Sequence, residues 1–150
     1  MSDVITSART ARDASRVLVA EDDAVTMRLV TAILEKEGFA VVPACDGREA
    51  YRILHADSAF EAAIFDMNLP HLRGLDLMSH MRTEKRLMRI PVMMMTAETD
   101  LRLRQEGFAA GAILFLPKPF TPLQLQTTMR MLVSMSGSGR ARPTVAARAA

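Results

Sequence analysis

The feature that most constrains the fold is a strict alternation of short apolar runs with amphipathic stretches along residues 17–135. Residues 17–20 form a compact apolar run, and residues 24–37 follow with apolar positions that recur at helical spacing. Gly38 ends this predicted helix, because glycine tolerates the left-handed conformation in which many helices close. The pattern is repeated four more times, which predicts five strands and five helices in alternation.

Single residues indicate where some of these elements begin. Asp46 precedes the second predicted helix and Thr121 the last, and both side chains suit an N-cap; Pro122 then takes the first helical position. Strands are predicted at residues 17–20, 40–44, 62–65, 91–96 and 113–116, and helices at residues 24–37, 47–55, 75–82, 99–110 and 122–135.

The predicted strands are apolar throughout, without the alternation of a half-exposed strand, which favours a parallel sheet buried on both faces. Right-handed crossovers through the intervening helices would cover both faces. We therefore predict an α/β fold with a doubly wound five-stranded parallel sheet in the flavodoxin-like order 2-1-3-4-5. In such a sheet, functional residues lie at the carboxyl ends of the strands.

Composition bounds the class of protein. A chain of 150 residues that is 49% hydrophobic can build one ordinary domain. No apolar run approaches the ~20 residues that a membrane-spanning helix needs. The single cysteine, Cys45, excludes an internal disulfide and predicts a cytoplasmic protein. We expect Cys45 to be a small core residue.

The charge is unevenly distributed along the chain. The chain has a formal net charge of +2. Residues 1–16 carry a net charge of +1 and residues 136–150 a net charge of +3, so the remaining residues, 17–135, carry a net charge of −2. The two terminal segments lack a hydrophobic period and are predicted to be flexible tails around one domain at residues 17–135. A mildly acidic domain does not favour direct binding of nucleic acid.

Polar side chains follow four of the five predicted strands at their carboxyl ends. Asp22 and Asp23 follow the first strand, Asp66 ends the third, Thr96 ends the fourth and Lys118 follows the fifth. Since these four strands are neighbours in the predicted order, we expect the side chains to share one crevice. Asp22 and Asp23 could also simply cap the first helix, because acidic side chains favour helix N-termini.

Clustered carboxylates repel one another unless a cation intervenes, and oxygen ligands are those that Mg²⁺ prefers. Asp66, last on a central strand, can act as a nucleophile, because carboxylates form acyl phosphates. Lys118 can pair with a phosphate group, and the Thr96 hydroxyl can donate a hydrogen bond to it. Together these residues predict metal-assisted phosphoryl transfer to a carboxylate.

Four motifs resemble those of the response-regulator receiver family of two-component signalling, which has the CheY-like fold. The resemblance covers residues 16–134, and the motifs fall in the family's order with the family's spacing. They are VAEDD at 19–23, IFDMNLP at 64–70, MTA at 95–97 and KPF at 118–120.

This resemblance implies a metal site and a phosphorylation site. It identifies Asp66 as the phospho-acceptor, and Asp22 and Asp23 as the acidic pair that holds Mg²⁺ together with Asp66. The backbone carbonyl of Asn68 would complete the protein ligands. Glu21, just before the acidic pair, is expected to be peripheral.

The resemblance also implies a switch. Thr96 would be the switch hydroxyl, Lys118 the phosphate partner and Phe115 the aromatic side chain that changes rotamer. The peptide bond between Lys118 and Pro119 is expected to be cis.

The resemblance further implies partners. A histidine kinase or a phosphotransfer protein would supply the phosphoryl group, and a downstream protein would bind the face made by the fourth predicted helix, the fifth strand and the fifth helix. Beyond self-phosphorylation and autodephosphorylation at Asp66, no enzyme activity is expected.

About 15 residues follow the last predicted helix, so we expect a stand-alone receiver; a receiver from a larger hybrid kinase or multidomain regulator is the alternative.

Two other functions are compatible with the same fold. An aspartyl-phosphate phosphohydrolase needs a second acid two residues after the nucleophile, and that position holds Asn68. A nucleotide or flavin binder needs glycines after the first strand to approach a phosphate. This chain has three acids there, at residues 21–23.

Overall fold

The computed structural model describes residues 15–97, 101–112 and 114–136. The strands are β1 (Ser15–Ala20), β2 (Phe39–Ala44), β3 (Ala62–Asp66), β4 (Val92–Thr96) and β5 (Leu114–Pro117). The helices are α1 (Ala24–Lys36), α2 (Gly47–Ala56), α3 (Gly74–Arg82), α4 (Lys85–Met88), α5 (Leu101–Ala110) and α6 (Pro122–Ser136).

The five strands form one parallel sheet in the order β2-β1-β3-β4-β5, which confirms the predicted architecture. Successive side chains of a strand point to opposite faces. Val17 and Val19 therefore lie in a core with α1 and α6, whereas Leu18 and Ala20 lie in a core with α2 and α3. Both faces of the sheet are covered, as the apolar strands require.

The domain begins earlier than predicted. Ser15 and Arg16, assigned to the flexible tail, belong to β1 and pair with β2. Arg16 is held by its side chain: the guanidinium lies 2.8 Å from Asp57 Oδ2, donates to the carbonyl of Ala59 at 3.1 Å and lies 4.6 Å from the centre of the Phe60 ring. The tail prediction was therefore wrong for these two residues, because a polar side chain anchors them.

The C-terminal boundary shifts by one residue, since Ser136, predicted to begin the second tail, is the last residue of α6. The rest of both predicted tails, residues 1–14 and 137–150, lies outside the described residues. Among the described residues, no helix combines the length and the hydropathy that a membrane crossing requires.

One element was not predicted. The helix α4 has a single turn, too short for hydrophobic periodicity to reveal it. Leu87 buries its side chain in the core, and Arg86 donates to the carbonyls of Leu54 at 2.8 Å and His55 at 3.2 Å. These contacts place α4 against the C-terminal end of α2.

The start of α2 is fixed by reciprocal side-chain caps. Asp46 accepts a hydrogen bond from the backbone of Glu49 at 2.8 Å, and Glu49 accepts one from the backbone of Cys45 at 2.7 Å. Cys45 is exposed at this corner, so its prediction as a core residue was wrong. Its side chain meets Glu49, which raises the pKa of the Cys45 thiol through a hydrogen bond and its negative charge.

Candidate functional site

Three carboxylates meet at the carboxyl ends of β1 and β3. One oxygen each from Glu21, Asp22 and Asp66 lies within 4.8 Å of the others. Asp66 is only 6% exposed and Glu21 only 2%, whereas Asp22 is open to solvent. The site therefore has two buried acids and one exposed acid at its mouth.

Lys118, which follows β5, supplies the positive charge. Its Nζ atom lies 3.0 Å from Asp66 Oδ2 and 3.0 Å from Glu21 Oε1. Burial alone would lower the pKa of Lys118, but the hydrogen bonds and charges of Asp66 and Glu21 outweigh it, so the pKa is raised. The backbone N–H of Lys118 donates to the carbonyl of Thr96 at 2.8 Å, and the Lys118–Pro119 peptide bond is cis.

Glu21 is more central than expected. Its backbone N–H donates to Ala44 at 3.0 Å, which extends the pairing of β1 with β2 by one residue. Burial raises the pKa of Glu21, and the charge of Asp66 adds to the rise, while hydrogen bonds from the Asp23 backbone and from Lys118 act against it. The expectation that Glu21 is peripheral was wrong, because the residue continues the strand and turns inward.

Asp23 has a different environment. It is the N-cap of α1, and its Oδ2 atom accepts hydrogen bonds from the backbone of Thr26 at 2.9 Å and from the Thr26 hydroxyl at 2.6 Å. These bonds lower the pKa of Asp23. Asp23 lies outside the group of three carboxylates, so its role as a metal ligand stays a prediction beside the capping role.

The loop after β3 begins at the proposed phospho-acceptor. The backbone N–H of Asn68 donates to Asp66 Oδ1 at 3.1 Å, and Met67 donates to Met95 at 2.9 Å, which joins the loop to β4. Because Asp66 Oδ1 accepts from Asn68 and Oδ2 accepts from Lys118, the carboxylate is held in one orientation.

The two predicted switch residues lie on neighbouring strands. Thr96 ends β4 and is 1% exposed, one position beyond Met95, the partner of Asp66 in the sheet. Phe115 on β5 is half-buried, and its ring meets the ring of Phe108 edge-on at 4.8 Å. The Arg104 guanidinium lies 5.9 Å from the centre of the same ring. The structure thus places Phe115 between the sheet and α5.

The donor set suits a hard divalent cation. Among the described residues, the three acids have a single ammonium beside them, that of Lys118, which contacts Glu21 and Asp66, so this group of residues is negative. Carboxylate oxygens are ligands that Mg²⁺ prefers, and Mg²⁺ usually keeps several waters, for which the exposed side of Asp22 leaves access. A cation bound beside Asp66 could also contact the oxygens of a phosphoryl group.

The fold and this acidic site define the class of protein. Residues 17–130 match the response regulator receiver domain, and the chain belongs to that family. It is therefore a receiver domain of two-component systems, a signalling family rather than a family of metabolic enzymes.

Curated relatives are regulators of transcription. TctD of Salmonella typhimurium (strain LT2) is 34% identical over 121 residues, covering 81% of this chain and 53% of that protein. SphR of Synechococcus elongatus, a regulator of alkaline phosphatase synthesis, is 34% identical over 134 residues, covering 84% and 51%. The chain spans about half the length of the curated relatives it matches.

Solved structures agree with the family. The chemotaxis response regulator CheY4 of Vibrio cholerae has a TM-score of 0.75 and 32% identity, covering 79% of this chain and 98% of that one. The receiver domain of the sensor histidine kinase PA1611 of Pseudomonas aeruginosa PAO1 has a TM-score of 0.73 and 27% identity, covering 80% and 98%. That structure has a magnesium ion coordinated in its active-site cleft.

Proposed function

We propose that Asp66 accepts a phosphoryl group in a His-Asp phosphorelay, with Mg²⁺ as the cofactor. The observation that carries this proposal is the setting of Asp66, a buried carboxylate at the end of a central strand, with an ammonium 3.0 Å away and two further acids beside it. Mg²⁺ would be held by Asp22, Asp23, Asp66 and the backbone carbonyl of Asn68. Because Thr26 occupies Oδ2 of Asp23, that residue would use its other oxygen or act through a water.

The proposed reaction is a displacement at phosphorus. A carboxylate oxygen of Asp66 attacks the phosphorus atom of a phosphohistidine on the kinase or phosphotransfer protein. A new P–O bond forms, the P–N bond breaks, and the imidazole leaves with the electron pair. Mg²⁺, when bound, would neutralise negative charge on the phosphoryl group that is transferred. Lys118 contacts Oδ2 of Asp66 in the unphosphorylated protein and would pair with the phosphoryl oxygens after the transfer.

The residue at position 68 affects how fast the phosphoryl group on Asp66 is hydrolysed. An efficient phosphohydrolase would need a general acid or base two residues after the nucleophile, and the amide of Asn68 can serve as neither. We therefore propose a signalling domain that only phosphorylates and dephosphorylates itself. Its place would be the cytoplasm, in keeping with a chain that has one cysteine.

The experiment that tests this proposal is intact-mass analysis after incubation with a small-molecule phosphodonor such as phosphoramidate. We expect one added phosphoryl group in the presence of Mg²⁺ and none when the metal is chelated. Labelling that is equally fast in a chelator would contradict a metal-assisted transfer. Intrinsic tryptophan fluorescence is of no use here, because the chain has no tryptophan.

We propose that the output surface is the α5–β5–α6 face, made by the elements that the sequence predicts as the fourth helix, fifth strand and fifth helix. Large apolar side chains are exposed on it: Leu101 by 63%, Phe108 by 52% and Leu123 by 66%. Movement of Thr96 toward a phosphoryl group would free space for Phe115, and Phe115 contacts Phe108 on this face. Phosphorylation would thereby change the surface offered to a downstream protein.

Sedimentation with and without beryllofluoride tests the output proposal. We expect the protein to remain monomeric in both states, because the face lacks a dense set of alternating charges that could pair two copies, and α6 offers mainly Gln, Thr and Met. A monomer-to-dimer conversion at micromolar concentration would show that the partner is another copy of the chain. Thr96→Ala should leave phosphorylation intact and weaken whichever association follows it; an unchanged association would contradict the switch.

A further inference from the structure

The loop from residue 67 to residue 73, which follows the proposed phospho-acceptor, lies unusually close to the first residue of α2. A Cβ atom added at Gly47 would lie 1.7 Å from the carbonyl oxygen of Leu72 and 2.5 Å from its carbonyl carbon. Both are backbone atoms, so no side-chain rotation could relieve the clash. The N–H of Gly47 also donates to the carbonyl of Pro70 at 3.2 Å. Only glycine allows this approach.

The same loop contains a strained turn. His71 has a φ of 67°, and Leu72 donates to the carbonyl of Pro70 at 2.7 Å, so that His71 is the centre of a γ-turn with positive φ. Few residues other than glycine adopt this conformation, and it persists where surrounding contacts impose it. Here the Pro70 carbonyl accepts from both Leu72 and Gly47, which links the strained turn to α2.

The other end of the loop is equally constrained. A Cβ atom added at Gly74 would lie 2.6 Å from the carbonyl oxygen of Asp66. Met67 and Leu69 are each 4% exposed and belong to the core. Asn68 lies between these buried side chains and bonds to Asp66 through its N–H. Its backbone is therefore located by close contacts on both sides, at Gly74 and at Gly47.

We propose that Gly47 is a positioning residue for the metal site: its contact with Pro70 and Leu72 holds the loop where the Asn68 carbonyl can reach Mg²⁺. This inference rests on the proposed function. Gly47 touches neither the metal nor the phosphoryl group, and acts through the backbone of the loop. A side chain at this position would displace the loop and weaken metal binding, while Asp66 and Lys118 keep their places on β3 and after β5.

The test is the Mg²⁺ concentration that gives a half-maximal effect, measured both as the rise in melting temperature without a phosphodonor and as phosphorylation by phosphoramidate. For Gly47→Ala we expect this concentration to rise about tenfold, as it does when a residue that orients a metal ligand is lost. The rate at saturating Mg²⁺ should stay near that of the wild type, because the nucleophile is unchanged. All proteins are assayed at a temperature at which circular dichroism shows them folded.

The matched control is Gly38→Ala. Gly38 has a φ of 95° and no atom within 4 Å of an added Cβ, and it precedes the amino end of β2, whereas Gly47 follows the carboxyl end of that strand. This variant suffers backbone strain and loses stability without touching the loop, so its Mg²⁺ requirement should not change. If the Mg²⁺ requirement rose equally in Gly38→Ala and Gly47→Ala, general destabilisation would explain the effect, and the proposal would be overturned.

A second variant changes a residue of the loop itself and leaves the sequence of α2 unchanged. His71→Pro fixes φ near −65° and removes the positive-φ turn, so it should raise the Mg²⁺ requirement in the same direction as Gly47→Ala. A wild-type Mg²⁺ requirement in both variants would overturn the inference and leave the proposed function standing. Failure of the wild type itself to be phosphorylated in Mg²⁺ would overturn the proposed function instead.

Discussion

An Asp66→Asn protein should take up no phosphoryl group under conditions that label the wild type completely. The amide is a far weaker nucleophile than the carboxylate and cannot form the acyl phosphate. The substitution nearly preserves shape, and the amide oxygen can still accept the hydrogen bond from Asn68. Lys118 keeps its second partner, Glu21, at 3.0 Å. Loss of labelling would therefore report lost chemistry rather than a lost fold, and intact-mass analysis measures it.

The matched control for this variant is Asp76→Asn. Asp76 is an exposed acid in the first turn of α3, paired with Arg73 at 3.6 Å, and it should accept no phosphoryl group. We expect this variant to be labelled at the wild-type rate. Labelling that persists in Asp66→Asn would mean that another acid is the acceptor, and the proposed function would need a different nucleophile.

A Lys118→Met protein should lose about 3 kcal/mol of unfolding free energy, because removing one partner of a buried ion pair leaves uncompensated charge behind. Methionine nearly matches the length of the lysine stem, so packing changes little. Glu21 and Asp66, both almost fully buried, would then repel each other without an ammonium between them. Urea unfolding in a chelator measures the loss, which a domain of ordinary stability survives.

Mg²⁺ should restore much of that loss. The proposed cation would bind the folded acidic group and not the unfolded chain, and at one hundred times its dissociation constant such binding adds about 2.7 kcal/mol. Lys85→Met is the control, since Lys85 is exposed on α4 and its loss should change stability by no more than ~0.5 kcal/mol. A Lys118→Met protein as stable as the wild type would show that the two acids do not depend on this ammonium.

The sheet could be predicted from the sequence because its signals are local. Apolar runs of strand length between amphipathic stretches gave the element types, and the continuous burial of each strand implied two covered faces. The boundary of an element could not be predicted where a single long-range side-chain contact sets it. Arg16 extends β1 through contacts with Asp57 and Phe60, which lie some forty residues away in the chain and leave no local pattern.

The residue types of the candidate site could also be predicted from the sequence. The direction in which each side chain points could not. Glu21, Asp22 and Asp23 are three adjacent acids, and which of them turns inward depends on how far the β1 backbone continues its pairing with β2. That pairing reaches Glu21, which is buried beside Lys118, and Asp23 is left to cap α1. Glu21 stands two positions after Val19 and four after Val17, both buried. The period of two could not have identified it, because Leu18 and Ala20, which are in phase with Asp22, are equally buried on the other face of the sheet.

The position of the phosphoryl group decides whether Asp66 is the phospho-acceptor. Borohydride reduces an acyl phosphate to an alcohol, so treatment of the labelled protein followed by peptide mass spectrometry marks the residue that carried the group. We expect a single reduced side chain, at Asp66, that appears only when phosphodonor and Mg²⁺ are both present. A reduced side chain at Glu21, Asp22 or Asp23, with Asp66 unmodified, would contradict it.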